Sequence, residues 1–315
     1  MGSSEVIMRK STLLLLAPAL LFTAGCDIED FGSSERFTAD FHYSEPLKAG
    51  GRITVENFNG SIEIKGSDRD TVDVSGVKFA GTQDLLDQVK IEVVKTGDAV
   101  QIRTVRPSFR GNMGAKYMIS VPRKVELDRI TSSNGSIHVD DVEGPARLRT
   151  SNGAVHANNL KGNVDIATSN GSIEVEELEG SAILKTSNGR VKADGVRGQI
   201  EAETSNGGIN VHVAKAESGH PMRLETSNGG IDVTVDQPTM NDVTATTSNA
   251  GITVHLAPTI AAKVRAHTSN GSISSDFDVK AQGQISKHSL EGTIGEGGPT
   301  LELSTSNGSI HLVKL

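Results

Sequence analysis

The chain has 315 residues and a net charge of −8, with no Trp, two Tyr, eight Phe and one Cys. That charge argues against wrapping DNA or RNA, and a single cysteine leaves no intrachain disulfide framework. So few aromatics supply too little bulk for an ordinary globular core of this length; a thin core of Val, Ile, Leu and Ala suits a stacked repeat instead.

In chain order, the first predicted element is a leader. Arg9 and Lys10 precede an apolar run from Leu13 to Phe22, broken only by Pro18, and Thr23-Ala24-Gly25-Cys26 follows. Such a run is too short to span a bilayer but matches a signal-peptide core. Small residues leading into a cysteine resemble the lipobox of bacterial lipoproteins, although Thr23 stands where Leu is commonest. The resemblance implies cleavage before Cys26 and lipid on Cys26, so the membrane is an expected partner through an N-terminal lipid. Residues 1–25 are then a lipoprotein signal peptide, and residues 26–35 an acidic, Gly/Ser-containing tether.

Residues 36–131 alternate apolar and polar side chains, as in Ile53-Thr54-Val55, Ile62-Glu63-Ile64 and Val100-Gln101-Ile102, which is the period of strands. A short helix is predicted over Thr82 to Val89, and a strand over Tyr117 to Pro122. Asn59-Gly60-Ser61-Ile62 is a forerunner of the motif that dominates the rest. The region is expected to be a degenerate start or cap of a solenoid.

Residues 132–315 are the regular part. A turn of the form Thr-Ser-Asn-Gly recurs with its asparagine at Asn134, Asn152, Asn170, Asn188, Asn206, Asn228, Asn249, Asn270 and Asn307. The spacing is first 18 residues, then 22, 21 and 21, and finally 37. Within a unit such as Thr168 to Lys185, positions 6 and 8 are apolar (Ile173, Val175), and so are positions 15 and 17 (Ala182, Leu184). Each unit therefore holds two short strands and two turns, with no room for a helix. One unit cannot bury its own apolar face, so the units are predicted to stack in parallel. The fold class expected is all-β, a single-chain parallel β-solenoid (β-helix) of 18–22-residue rungs. The longer units insert residues at the turn opposite Thr-Ser-Asn-Gly. The final gap predicts a decayed rung at Ser289–Ile294, where Glu291 replaces Asn and breaks the column.

The turn explains itself without a ligand. Asn and Gly take positive φ readily, and a sharp corner is expected to need it. Stacked asparagines can bond amide to amide in a structural turn ladder. Calcium-binding rolls require Gly-Gly-x-Gly-x-Asp in every half turn, which the chain lacks, and ice-binding arrays require Thr-x-Thr on a flat face, whereas here the motif gives one Thr per rung. His138, His156 and Asp140 fall on one predicted face, but a solvated face of mixed charge accounts for them, and neither a metal nor another cofactor is expected. No nucleophile elbow, metal-protease helix or phosphate loop occurs, so no catalytic residue is assigned.

The lipobox leader, the Asn-Gly-Ser-Ile-Glu-Ile strand, the Tyr-Met-Ile-Ser-Val-Pro strand and the serial Ser-Asn-Gly-x-Ile/Val rungs resemble together the bacterial "putative adhesin", or β-strand-repeat, family. The likeness covers about residues 40 to 315. It implies a right-handed solenoid in the cell envelope and brings no functional residues with it. The expectation is a non-enzymatic, lipid-anchored surface, periplasmic or outward-facing, that binds an envelope protein or glycan, with no nucleic-acid partner. Two alternatives are an envelope-sensing or assembly module acting through its end rungs, the last at Ile310 to Leu315, and a polysaccharide-active enzyme on a solenoid face.

Overall fold

The computed structural model describes residues 37–108, 111–213, 219, 221–237, 240–282 and 286–315. Cys26, the leader and the tether lie outside the described residues. The described chain forms two sheets, of 13 and 14 strands, and one short helix, Gln83–Gln88. The fold is a β-solenoid-like parallel stack, as the period requires.

Each regular unit gives one strand to each sheet. In the third unit, Ile173–Glu179 joins the first sheet and Ala182–Lys185 the second. Alternation turns Ile173, Val175 and Leu178 inward, and Ala182 and Leu184 meet them from the other sheet; all are buried. Pairing is parallel and in register, with Val155 beside Ile173 and Ile173 beside Val191. Because the repeat is 18 residues, a given unit position stacks on itself rung after rung. Apolar columns thus line the core, and polar columns run along the outer faces.

The order of rungs in space is not their order in the chain. Near the C-terminal end of the first sheet, Ile310–Lys314 lies between Ile252–Leu256 and Ile273–Ser275, parallel to both. In the second sheet Thr300–Thr305 likewise separates Val243–Thr247 from Ala262–Thr268. The N-terminal end mirrors this arrangement. Ile62–Ser67 is held between Met113–Pro122 and Ile137–Asp140, and Gly51–Glu56 between Ala99–Val105 and Val125–Ser132. So the first rung in sequence is second in space, and the last is last but one.

Two expectations are corrected here. Ile310 to Leu315 is not a bare end rung: its strand is paired on both sides, so an assembly mechanism through that strand loses its basis. Ser289–Ile294 is not a decayed rung either. It runs antiparallel to Ala262–Thr268, placing Glu291 opposite Arg265 with Oε1 and Nε 3.4 Å apart, and it pairs with Val279–Ala281 as part of a cap.

Antiparallel strands close the other end as well. Phe37–Pro46 and Thr71–Ala80 extend the first sheet, and Lys90–Thr96 extends the second. Thr82 caps the helix, its Oγ1 accepting from the Leu85 N–H at 3.3 Å, and Leu86 and Val89 pack on Ala80 and Met113. Aromatic filling is concentrated here: Phe41 meets buried Tyr117 edge to face at 5.3 Å. The Tyr117 hydroxyl lies 2.5 Å from Thr104 Oγ1, which donates to Asn57 Oδ1. Burial raises the Tyr117 phenol above its ordinary pKa.

Candidate functional site

At each corner the four motif residues have separate tasks. The threonine points inward and is buried. Thr168 Oγ1 donates to the Gly153 carbonyl of the preceding rung at 2.9 Å and accepts from the Gly171 N–H of its own turn at 3.2 Å. This hydroxyl therefore satisfies one backbone group on each of two rungs, which a buried Val could not do. Close contact favours the glycine, which only the Asn249 corner replaces, with Ala250. A Cβ on Gly171 would sit 1.8 Å from the Gly153 oxygen, and one on Gly189 would sit 1.7 Å from the Gly171 oxygen.

Positive φ is not what the regular corner needs. Apart from Gly60 in the first rung, the motif residues are absent from the left-handed set among the described residues. Those conformations gather at the opposite corner, at Asp141, Asn159, Glu177 and Gly195, with Gly144, Gly162, Gly180 and Gly198 three residues further on. The expected backbone role of Asn-Gly is corrected accordingly: close rung packing, not a left-handed turn, selects its glycine.

The asparagines project outward. Asn152 Nδ2 donates to Asn134 Oδ1 at 2.7 Å, and the same bond repeats from Asn170 to Asn152 and from Asn188 to Asn170. It continues through Asn206, Asn228 and Asn249 at 2.7–2.8 Å. The row then passes to Asn307 and from there to Asn270, each step 2.9 Å. It follows spatial order and runs past the 37-residue gap without the break assigned to Glu291. Asn59 does not join: its Nδ2 donates to the Met113 carbonyl.

On the outer face of the first sheet the polar columns pair internally. His138 Nε2 lies 3.0 Å from Asp140 Oδ2, and the His138 and His156 rings are 5.7 Å apart. His156 Nδ1 is 3.2 Å from Glu174. Lys192 Nζ reaches Glu174 at 2.6 Å and Glu176 at 3.0 Å. The Lys192 hydrogen bond holds the Glu174 carboxyl below its usual range. The sequence placed His138, His156 and Asp140 on one face, and they are neighbours there. Among the described residues no group of three or more His, Cys, Asp or Glu is arranged to hold a metal ion.

One cluster was not singled out from the sequence. His212 Nδ1 lies 2.6 Å from Asp194 Oδ1, and its Nε2 lies 2.6 Å from Asp236 Oδ2. Only an imidazolium donates from both nitrogens. The Asp236 hydrogen bond chiefly, and Asp194 with it, raises the His212 pKa. The 18-residue offset of Asp194 and His212 was a readable signal for that pair; Asp236 follows its strand and carries no repeat signature.

The same face holds an open groove of about 530 Å³. Its floor is the unit position after the motif, occupied by Gly208, Gly230 and Gly251. Other rungs carry Ser136, Ala154, Ser172, Arg190 or Ser309 there. Cβ atoms on Gly208, Gly230 and Gly251 would meet the nearest carbonyls at 3.3, 3.5 and 3.0 Å, so packing is tight at Gly251, ordinary at Gly230, and nowhere as close as at Gly207 and Gly229, at 1.8 Å each. Arg190 and Lys192 stand at one end, and Asn210, Asp232 and Thr253 along one wall. The arrangement offers hydrogen-bond donors and acceptors to an elongated polar ligand. A smaller groove of about 240 Å³ lies on the second sheet, beside the register shift between Ala146 and Leu148.

The family model described as Toastrack DUF4097 matches residues 51–313. No curated protein matches the chain. Among solved structures, the chain is similar to a "putative adhesin" from Parabacteroides distasonis at 12% identity, covering 87% of this chain and 97% of that one, with a TM-score of 0.39. A "putative adhesin" from Bacteroides fragilis is 14% identical over 87% and 97% of the two chains, with a TM-score of 0.28. A "putative lipid binding protein" from P. distasonis is 12% identical over 87% and 96%, with a TM-score of 0.32. Likenesses this distant carry no functional weight for this chain.

Proposed function

This chain belongs to the Toastrack DUF4097 family, and from that premise we propose that it is a non-enzymatic module of the cell envelope, anchored by lipid on Cys26, whose outer face binds an envelope glycan or protein. The observation that carries this reading is the glycine-floored groove. Three consecutive rungs carry glycine where other rungs carry Ser, Ala or Arg, at a cost of roughly 0.5–1 kcal/mol each in chain entropy; at the central one, Gly230, an added Cβ would make only an ordinary contact, and together they open about 530 Å³ beside a polar wall. Binding is favoured over chemistry because the imidazoles and carboxylates near the groove are engaged with one another. His212 is held by Asp194 and Asp236, and His255 Nε2 lies 3.6 Å from Asp232.

The test is a paired comparison of wild type and Gly230→Arg on a panel of envelope polysaccharides and in pull-downs from intact envelopes. Arg190 already occupies this column, so the substitution fills the groove while leaving the melting temperature within a few degrees. Loss of a wild-type ligand in the variant, with no saccharide turnover by either protein, is the expected result. Equal binding by both proteins, or turnover, defeats the reading.

A further inference from the structure

The two outermost strands at the N-terminal end, Phe37–Pro46 on the first sheet and Lys90–Thr96 on the second, face each other across the end of the core. We infer that this end is a membrane-seating surface on which the solenoid stands at the lipid headgroup layer. The Tyr43 hydroxyl donates to the Ile91 carbonyl at 3.4 Å, bridging the two sheets. Behind that bridge the core is incompletely covered: Phe41, Ile91 and Val93 pack on it but remain partly exposed. Phe37, Tyr43 and Val94 are 37%, 38% and 52% exposed on these same strands. Beyond this end region the only aromatic after Ser132 is Phe277, so the aromatic surface belongs to one end.

Charge selects the same end. Residues 37–131 carry fourteen basic against thirteen acidic side chains, whereas residues 132–315 carry fourteen against twenty-one. On the end strands and their turns, Lys48, Lys90 and Lys95 form no ion pair among the described residues, Asp40, Glu45 and Asp98 balance them, and Glu92 is held by Arg103 at 2.6 Å. A neutral aromatic end approaches an anionic lipid surface without penalty, while the acidic remainder is repelled within a Debye length of about 10 Å. Tyr and Phe flanked by Lys are the side chains that settle at a membrane–water interface.

The occupant follows from chain length. This step rests on the proposed anchor: ten residues separate Cys26 from Phe37 and span at most about 35 Å when fully extended. A lipid on Cys26 therefore keeps this end, the one the tether enters, within reach of the bilayer. Contacts too weak to recruit a free protein suffice once tethering makes them intramolecular.

The chain lacks Trp, so single-Trp variants report one position each. Full-length lipidated Tyr43→Trp and Ile183→Trp proteins are placed in phosphatidylethanolamine–phosphatidylglycerol vesicles with brominated acyl chains, and flotation and thermal melts are recorded alongside. Ile183 is 40% exposed on the second sheet in the middle of the stack. The expected result is flotation of both, about a twofold loss of emission at position 43 for a side chain roughly 5–10 Å into the boundary layer, and no loss at position 183. Flotation without quenching at 43 overturns the seating and leaves the anchor standing. Equal quenching at both positions means that the solenoid lies flat, which also overturns it, as does a blue-shifted, unquenched Trp in a dimer, where a second copy covers the end. Failure to float removes the anchor and the seating together.

Discussion

At the residue scale, two glycines one position apart answer to different causes. Gly171 is fixed by a neighbouring carbonyl that an added Cβ would meet at 1.8 Å, while a Cβ on Gly230 would make an ordinary contact at 3.5 Å. Gly171→Ala is expected to lower stability by roughly 2–4 kcal/mol or to prevent folding, as overpacking against backbone does. Gly230→Ala should stay within about 0.5 kcal/mol of wild type. Denaturant melts of the pair separate the two causes. Asn188 tests the amide row, since it donates to Asn170 and accepts from Asn206. Asn188→Ala removes two exposed hydrogen bonds and should cost about 1–2 kcal/mol, read as a drop in melting temperature. His212 adds a pH dependence. Its folded pKa is raised, so its stabilisation is complete below the unfolded value of about 6.5 and disappears as pH rises through the higher folded value. The melting-temperature gap between wild type and His212→Gln should therefore be widest near pH 5–6 and close in mildly alkaline buffer. Partial exposure keeps the effect below about 1 kcal/mol.

At the element scale, the strand Ile310–Lys314 is the informative one. Its inward residues Ile310 and Leu312 are fully buried, and it is paired on both sides. Leu312→Ala should cost about 2–5 kcal/mol, as for a sealed core position, whereas the same change in a fraying end rung would cost much less. Hydrogen exchange gives a second readout. With the strand weakened, amides of Ile273–Ser275 should lose protection together with it, because among the described residues the only neighbour of that short strand in the first sheet is Ile310–Lys314. Unchanged protection would mean that the two rungs are not neighbours. Antiparallel caps, on both sheets at the N-terminal end and on the second sheet at the C-terminal end, and interior placement of the first and last rungs serve one purpose. An open parallel stack leaves rows of unpaired N–H and C=O groups, and capping shortens or twists those edges.

At the scale of the whole molecule, two antiparallel strands on the first sheet and three on the second leave eleven parallel levels in each among the described residues. Stability in such a stack is a sum over rungs and their interfaces, so exchange protection should be highest around residues 155–211 and decline toward both caps; uniform protection would contradict this. The period, the alternation of Ile173 and Val175 with polar neighbours, and the recurring Thr-Ser-Asn-Gly corner were legible in the amino-acid order. They required two in-register parallel sheets, because identical units can bury identical apolar columns only by stacking. What the order of residues could not supply was the order of rungs. Every rung presents the same strand edge and the same Asn, so exchanging the positions of Asn270 and Asn307 preserves the local pairing. Nor could it tell a glycine whose added Cβ would meet a carbonyl at 1.8 Å from one where that Cβ would make an ordinary contact. Those were decided in three dimensions, by which edges had to be covered and by how closely each rung lies on the one before it.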